Sequence, residues 1–217
     1  MQVRSIKPGA LIVITGASGA GKDAVMESFL KDPRIKRLNI KKIVSYTDRP
    51  MRPGEKEGVE HYFVSPEEMK KMEKGNKFVE PITKTGISNK ATPKTEINRL
   101  MNGENLIWRI DPIRGTEVLS GHFFKKLFPK EAIILNKHTV VYFVTAPQET
   151  LEKRRQKRDQ LQYNRQAYID RQNEEEPLLK VLRGKAVQIN NLDGELDEAV
   201  DSLVVSVINF YTKLQNE

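Results

Sequence analysis

Cysteine is absent from this 217-residue chain, and with it go disulfides and every cysteine-ligated zinc or iron–sulfur centre. No apolar run approaches the ~20 residues that cross a bilayer. The opening residues, Met1-Gln2-Val3-Arg4-Ser5, run within a few positions into a core strand rather than through the apolar stretch of a secretory leader. Internal repeats and low-complexity tracts are missing too. These absences predict a soluble, cytoplasmic protein with no membrane partner. The length suits one medium domain, long enough to bury a sizeable core and to carry a lid or a small inserted subdomain. Basic residues exceed acidic ones, 37 against 29, for a formal net charge of +8. That excess suits an anionic partner, and the phosphates of a small nucleotide satisfy it as well as nucleic acid does.

Against this background one stretch stands out: Gly16-Ala17-Ser18-Gly19-Ala20-Gly21-Lys22-Asp23, with Ala24 behind it, directly after the apolar run Leu11-Ile12-Val13-Ile14. A short buried strand that ends in a glycine-rich turn and leads into a helix can aim successive backbone N–H groups into one anionic cavity. The lysine adds a mobile positive charge. The spacing predicts a helix over 22–30, packed through Val25, Met26, Phe29 and Leu30 and stopped near Asp32-Pro33. Asp23 stands where the usual G-x-x-x-x-G-K-[ST] pattern places a hydroxyl for Mg²⁺. A ligand-free glycine turn is the bland alternative, but strand, loop, lysine and helix all occur in the required order.

A second strand is expected at 43–47, and the prolines and glycines that follow exclude a helix. Arg49 and Arg52, three apart on this proline-pinned loop, can converge on one anion because guanidinium forks match phosphate oxygens. A solvated basic loop is the alternative. Ser65-Pro66-Glu67-Glu68 reads as the cap and first turn of a helix ending near Lys74-Gly75, after which 78–80 returns as a strand. Downstream come a helix at 95–101, a strand at 105–111, a buried strand at 140–144, a helix from about 148 and a short strand at 186–190. An amphipathic helix at 195–214 closes the chain. Trp108 sits among Leu106, Ile107 and Ile110 and is expected in the core. The segment 122–138 reads as a local excursion without an assigned role. Arg154 and Arg158 lie four apart and share a helix face. The alternation of strands and helices predicts an α/β fold with a mostly parallel sheet flanked by helices.

The run V-S-x-T-x-R-x-x-R-x-G-E-x-x-G-x-x-x-x-F-V-S from Val44 to Ser65, together with Gly16 to Lys22, resembles the guanylate kinase family, P-loop enzymes that phosphorylate GMP with ATP. The resemblance extends over nearly the whole chain. It implies one domain with a core of about 8–44, 94–150 and 180–217, an inserted monophosphate-binding region of about 45–93 and an arginine-rich lid of about 151–172. It implies ATP and Mg²⁺ as cofactors, Arg49 and Arg52 on the acceptor phosphate, Ser45 on the guanine carbonyl, and Glu80 as the base-reading carboxylate. Arg154, Arg158 and Arg171 match the lid arginines, and Asn190 matches the asparagine near the adenine.

Several positions depart from the family pattern. His61, beside Tyr62, and Lys90 replace tyrosines that hold the acceptor phosphate, whereas Thr92 keeps its hydroxyl. The family's D-x-D reads Arg109 and Asp111, which leaves Asp23 and Asp111 as candidate metal ligands. An arginine at 109 and a carboxylate at 23 suggest a compensating exchange of charge around the metal. The implied reaction is ATP + GMP to ADP + GDP, with dGMP as a further acceptor, by a monomer or homodimer that binds no nucleic acid. Two rivals remain. The Gly-Lys-Asp version of the loop resembles ribose 1,5-bisphosphate phosphokinase, so another monophosphate or that sugar phosphate is an alternative acceptor. The second rival is the non-catalytic guanylate kinase-like binding module of scaffold proteins.

Overall fold

Residues 7–51, 54–85, 88–160 and 163–216 are described by the computed structural model. Arg52, expected on the acceptor phosphate, and the opening residues 1–5 lie outside them. Numbered along the chain, the strands are β1 (Leu11–Thr15), β2 (Lys41–Lys42), β3 (Ser45–Thr47), β4 (His61–Phe63), β5 (Thr83–Thr85), β6 (Ser88–Ala91), β7 (Leu106–Arg109), β8 (Thr139–Thr145) and β9 (Val187–Asn190). The helices are α1 (Lys22–Lys31), α2 (Pro66–Lys74), α3 (Lys94–Met101), α4 (Pro112–Leu119), α5 (His122–Leu127), α6 (Ala132–Lys137), α7 (Gln148–Asp159), α8 (Arg165–Lys185) and α9 (Leu196–Gln215). Among the described residues no helix is long and apolar enough to cross a membrane. The chain divides into two units, Met1–Gly9 with Lys41–Leu106, and Ala10–Ile40 with Ile107–Glu217.

The larger unit is α/β. Its sheet runs β7-β1-β8-β9. β1 pairs parallel with β8 from Leu11↔Thr139 to Thr15↔Phe143, and β8 pairs parallel with β9 from Tyr142↔Val187 to Thr145↔Asn190. Every residue of β1 is buried, as a strand covered on both faces requires. α1 buries Val25, Met26 and Phe29 and packs on α9, whose Leu203, Val204 and Val207 follow helical spacing. Asp32 is extended and precedes Pro33, which ends α1 one residue later than the spacing predicts. α4 closes on β1 so tightly that a Cβ on Gly115 would stand 2.7 Å from Thr15 Oγ1.

The segment 122–138 is not an excursion. It forms α5 and α6, which bring Phe123, Phe124 and Leu135 into the core, and Trp108 packs on Phe123 with ring centroids 5.2 Å apart.

The smaller unit is built on a sheet of order β4-β3-β6-β5. β3 pairs parallel with β4 and antiparallel with β6, and β5 pairs antiparallel with β6. Residues 78–80, expected as a strand, make one isolated bridge, Phe78↔Pro93, and the ladder is formed by 83–85 and 88–91 instead. Phe78 packs with Met69 and Ala91 under α2, whose capping box of Ser65 and Glu68 is fully formed.

Because Phe124 is fully buried, Phe124→Ala is expected to cost about 3–5 kcal/mol in urea-induced unfolding. Ile133→Ala on the neighbouring α6, where the residue is 87% exposed, should stay within about 0.5 kcal/mol. Equal effects at the two positions would place the segment outside the core.

Candidate active site

β1 delivers the chain into a turn that only a glycine-rich sequence can make. Gly19 (φ 91°) and Gly21 (φ 82°) take left-handed conformations, and a Cβ on them would stand 2.6 Å from the Leu151 carbonyl oxygen and 2.2 Å from Asn191 Nδ2 respectively. Gly21 is the N-cap of α1 and no side chain caps the helix, so the first-turn N–H groups point out of it without intrahelical acceptors.

Lys22, the first residue of α1, folds back so that Nζ donates to the carbonyls of Gly16 at 2.7 Å and Ala17 at 2.8 Å. Burial, then the charge of Arg109, lowers its pKa from 10.5 to about 8, with Asp23 and Glu175 opposing and Arg171 reinforcing the shift. An ammonium in this state gains more from an arriving polyanion than a hydrated lysine does.

Beneath the loop lies Asn191, 4% exposed, whose Nδ2 donates to the Ala20 carbonyl at 2.8 Å and whose own N–H donates to Thr145 at 2.8 Å. Asn190, the position matched from the family, is exposed at the end of β9. Ala24 is exposed on α1.

Asp23 Oδ1 lies 2.7 Å from Arg109 Nε, with the two side chains 64% and 31% exposed. An ion pair this open is worth no more than about 1 kcal/mol of stability, so its consequence is where it puts charge. Asp111 serves the fold, because its side chain accepts the Arg114 N–H at 2.9 Å as the N-cap of α4 while its carbonyl accepts from Thr15 Oγ1 at 3.0 Å. Among the described residues, no three His, Asp or Glu side chains gather as a metal cluster would need.

The arginines of α7 and α8 differ in what they hold. Arg154 Nε donates to Asp193 Oδ1 at 3.0 Å, and its terminal nitrogens donate to the carbonyls of Asn191 at 3.1 Å and Leu192 at 3.0 Å. Arg155 reaches the phosphate loop itself: Nη1 donates to Ser18 Oγ at 2.7 Å, and the guanidinium lies 5.6 Å from the Tyr168 ring centroid. Arg158 is 60% exposed and pairs with Asp159 at 2.7 Å, and Arg171 pairs with Glu175 at 2.7 Å.

In the smaller unit the β3/β4 and β3/β6 pairings bring Ser45, His61 and Lys90 into a chain of contacts. His61 Nδ1 lies 3.1 Å from Ser45 Oγ and 3.3 Å from the Ser45 carbonyl, and Lys90 Nζ lies 3.2 Å from His61 Nε2. An ammonium has donors and no acceptor, so Nε2 accepts and the Nδ1–H donates towards Ser45. Arg49 is gripped by Glu55 through two parallel bonds of 2.7 and 2.5 Å, and its guanidinium stands 5.5 Å from the Phe63 ring centroid. Tyr62 stacks on Tyr46 at 4.9 Å, and burial pushes its hydroxyl pKa up. Glu80 Oε1 accepts the N–H of Thr92, itself 4% exposed, at 2.7 Å.

Three participants escape a reading of the sequence. Asn191 neighbours the matched Asn190, and a strand end sends adjacent side chains to opposite faces. Arg155 is one of several basic residues on α7, with no local signal that separates it from Arg154. Glu55 does carry a signal, as the acid in the G-E that follows the two arginines.

Residues 9–122 match the family model described as guanylate kinase. A guanylate kinase of Fusobacterium nucleatum is 36% identical over 147 residues, 67% of this chain and 69% of the relative. One of Porphyromonas gingivalis is 33% identical over 150 residues, 68% of this chain and 71% of the relative. A crystal structure of guanylate kinase from Anaplasma phagocytophilum superposes with a TM-score of 0.61 over 93% of this chain and 86% of that one, at 18% identity, a likeness of fold. With the phosphate loop folded as its sequence predicts and the family match spanning both the loop and Glu80, the chain belongs to the guanylate kinase family.

Proposed function

We propose that the protein transfers the γ-phosphoryl group of ATP to GMP, or to dGMP, giving ADP and the diphosphate. The observation that carries this reading is Lys22: a cation largely out of water, held by two neutral carbonyls at the mouth of an uncapped helix, answers to a bound triphosphate. An oxygen of the acceptor's phosphate attacks the γ-phosphorus, a P–O bond forms to it, and the bond from the γ-phosphorus to the β–γ bridging oxygen breaks, so ADP leaves. No side-chain nucleophile is required. Lys22, Arg155 and the N–H groups of the loop neutralise charge on the donor, and Arg171 adds to it. Arg49, oriented by Glu55, and Lys90, oriented by His61, hold the acceptor phosphate. Glu80, its Oε1 fixed by Thr92, accepts the ring N–H and exocyclic amine of guanine, donors that adenine does not present together.

Family members generally use Mg²⁺ with their nucleotide, and the residues here do not fit a protein-held ion: the Asp23 carboxylate is paired with a guanidinium and Asp111 caps α4. Any Mg²⁺ therefore comes on the phosphates of ATP rather than on a seat of carboxylates.

A second acceptor, a different monophosphate or ribose 1,5-bisphosphate, draws support from one contact. Ser45 Oγ, the hydroxyl expected on guanine, lies against His61. An ADP-release assay with ATP and a panel of acceptors is expected to show turnover with GMP and dGMP. Turnover with the sugar phosphate and none with either guanine nucleotide would overturn the acceptor, and no turnover with any of them would favour a binding module.

Asn191→Ala leaves the Ala20 carbonyl without its side-chain donor and is expected to lower stability by about 1–3 kcal/mol. ATP affinity should fall with it, because the loop loses its floor. Asn190→Ala, one residue away and exposed, should change stability by less than about 0.5 kcal/mol. Thermal melts with and without ATP check both.

A further inference from the structure

Arg109 ends β7, next in the sheet to β1, the strand that runs into the phosphate loop. Its Nε is 2.7 Å from the carboxylate of Asp23, the second residue of α1. That places a guanidinium beside the first turn of the helix whose N–H groups face outward. The side chain is 31% exposed, and among the described residues neither terminal nitrogen meets a carbonyl or a further carboxylate. Of the charges acting on Lys22, that of Arg109 is the strongest. Arg109 and Arg171 are each paired with a carboxylate, Asp23 and Glu175, while Lys22 is held only by neutral carbonyls, which leaves the loop mouth with a net positive charge for an anion to neutralise.

We infer that Arg109 is a phosphate-binding residue of the donor site: held through Nε by Asp23, it presents its two terminal nitrogens to the phosphates of ATP and supplies charge neutralisation that a protein-anchored divalent ion would otherwise supply. The inference rests on ATP as the donor. Asp23 acts as a positioning residue that keeps the guanidinium at the loop mouth and leaves its forked end outward. Metal-free ATP carries two more negative charges than its magnesium complex, so a site that brings its own extra cation discriminates less between the two forms.

Isothermal titration of the full chain with ATP, once in excess EDTA and once in saturating Mg²⁺, tests this without turnover. The wild type is expected to bind the two forms within about threefold of each other. Arg109→Gln should weaken metal-free ATP at least about tenfold, the scale of one charge-assisted hydrogen bond, and the magnesium complex by much less. Arg109→Lys should recover part of the loss, which separates lost charge from a folding defect. The double variant Asp23→Ser/Arg109→Asp should bind ATP with a strong preference for the magnesium form. Metal-free ATP affinity unchanged within twofold in Arg109→Gln would overturn the inference while leaving the donor assignment standing. Failure of the wild type to bind either form would overturn the donor assignment and this inference with it.

Discussion

A lysine ammonium taken largely out of water and held by the carbonyls of Gly16 and Ala17 is the constraint around which the larger unit is arranged. Those carbonyls must stay where they are, and three separate features hold them. β1 is sealed between its neighbours in the sheet, with all five of its residues buried. The turn runs so close to Leu151 and Asn191 that a Cβ at Gly19 or Gly21 would collide with them. From below, the Asn191 amide pins Ala20. A loop held at these points is preorganised, and preorganised donors are what phosphoryl transfer by charge neutralisation draws on.

How much of this was legible in the sequence follows from which interactions are local. The loop and α1 are written in consecutive residues, with a proline to end the helix, so their positions are readable to within a residue. The buried strands β1 and β8 announce themselves by apolar runs, and the capping box of α2 by Ser65 and Glu68. β5 and β6 are not legible, because T-K-T and S-N-K-A carry no apolar alternation, and the pairing of β6 with β5 and with β3 is a tertiary matter. The same limit applied to α5 and α6: Phe123, Phe124 and Leu135 are visibly apolar, but nothing local says that they close the core against Trp108.

Within the site, legibility divides along the same line. Lys22 and Arg49 are marked by motif. Asn191, Arg155 and the link from Ser45 through His61 to Lys90 are created by chain segments that meet only on folding. The sequence suggests a compensating exchange of charge between positions 23 and 109, and the 2.7 Å contact shows that the two side chains meet. Their separation in sequence is large, so only the strand order of the sheet could bring them together.

Two of the departures from the family pattern that the sequence suggests, at 90 and 109, add positive charge, whereas Asp23 adds a carboxylate. At 90 and 109 a cation replaces a tyrosine or a carboxylate, and at 61 an imidazole replaces a tyrosine hydroxyl. A hydroxyl holds a phosphate oxygen through one directional bond; an ammonium or guanidinium holds it through charge and tolerates displacement. Charge does not distinguish one phosphate from another. If the phosphates are gripped by charge, then selectivity among acceptors has to come from the group that differs between them, the base. In the function we propose that burden falls on Glu80, whose Oε1 already accepts the Thr92 N–H at 2.7 Å. Hydrogen-bonded sites of this kind reject a ligand lacking the matching donors far more strongly than apolar pockets do, because the unmatched acceptor is left buried. Looser recognition of the phosphate is thus compatible with strict recognition of guanine, provided the Thr92–Glu80 contact holds.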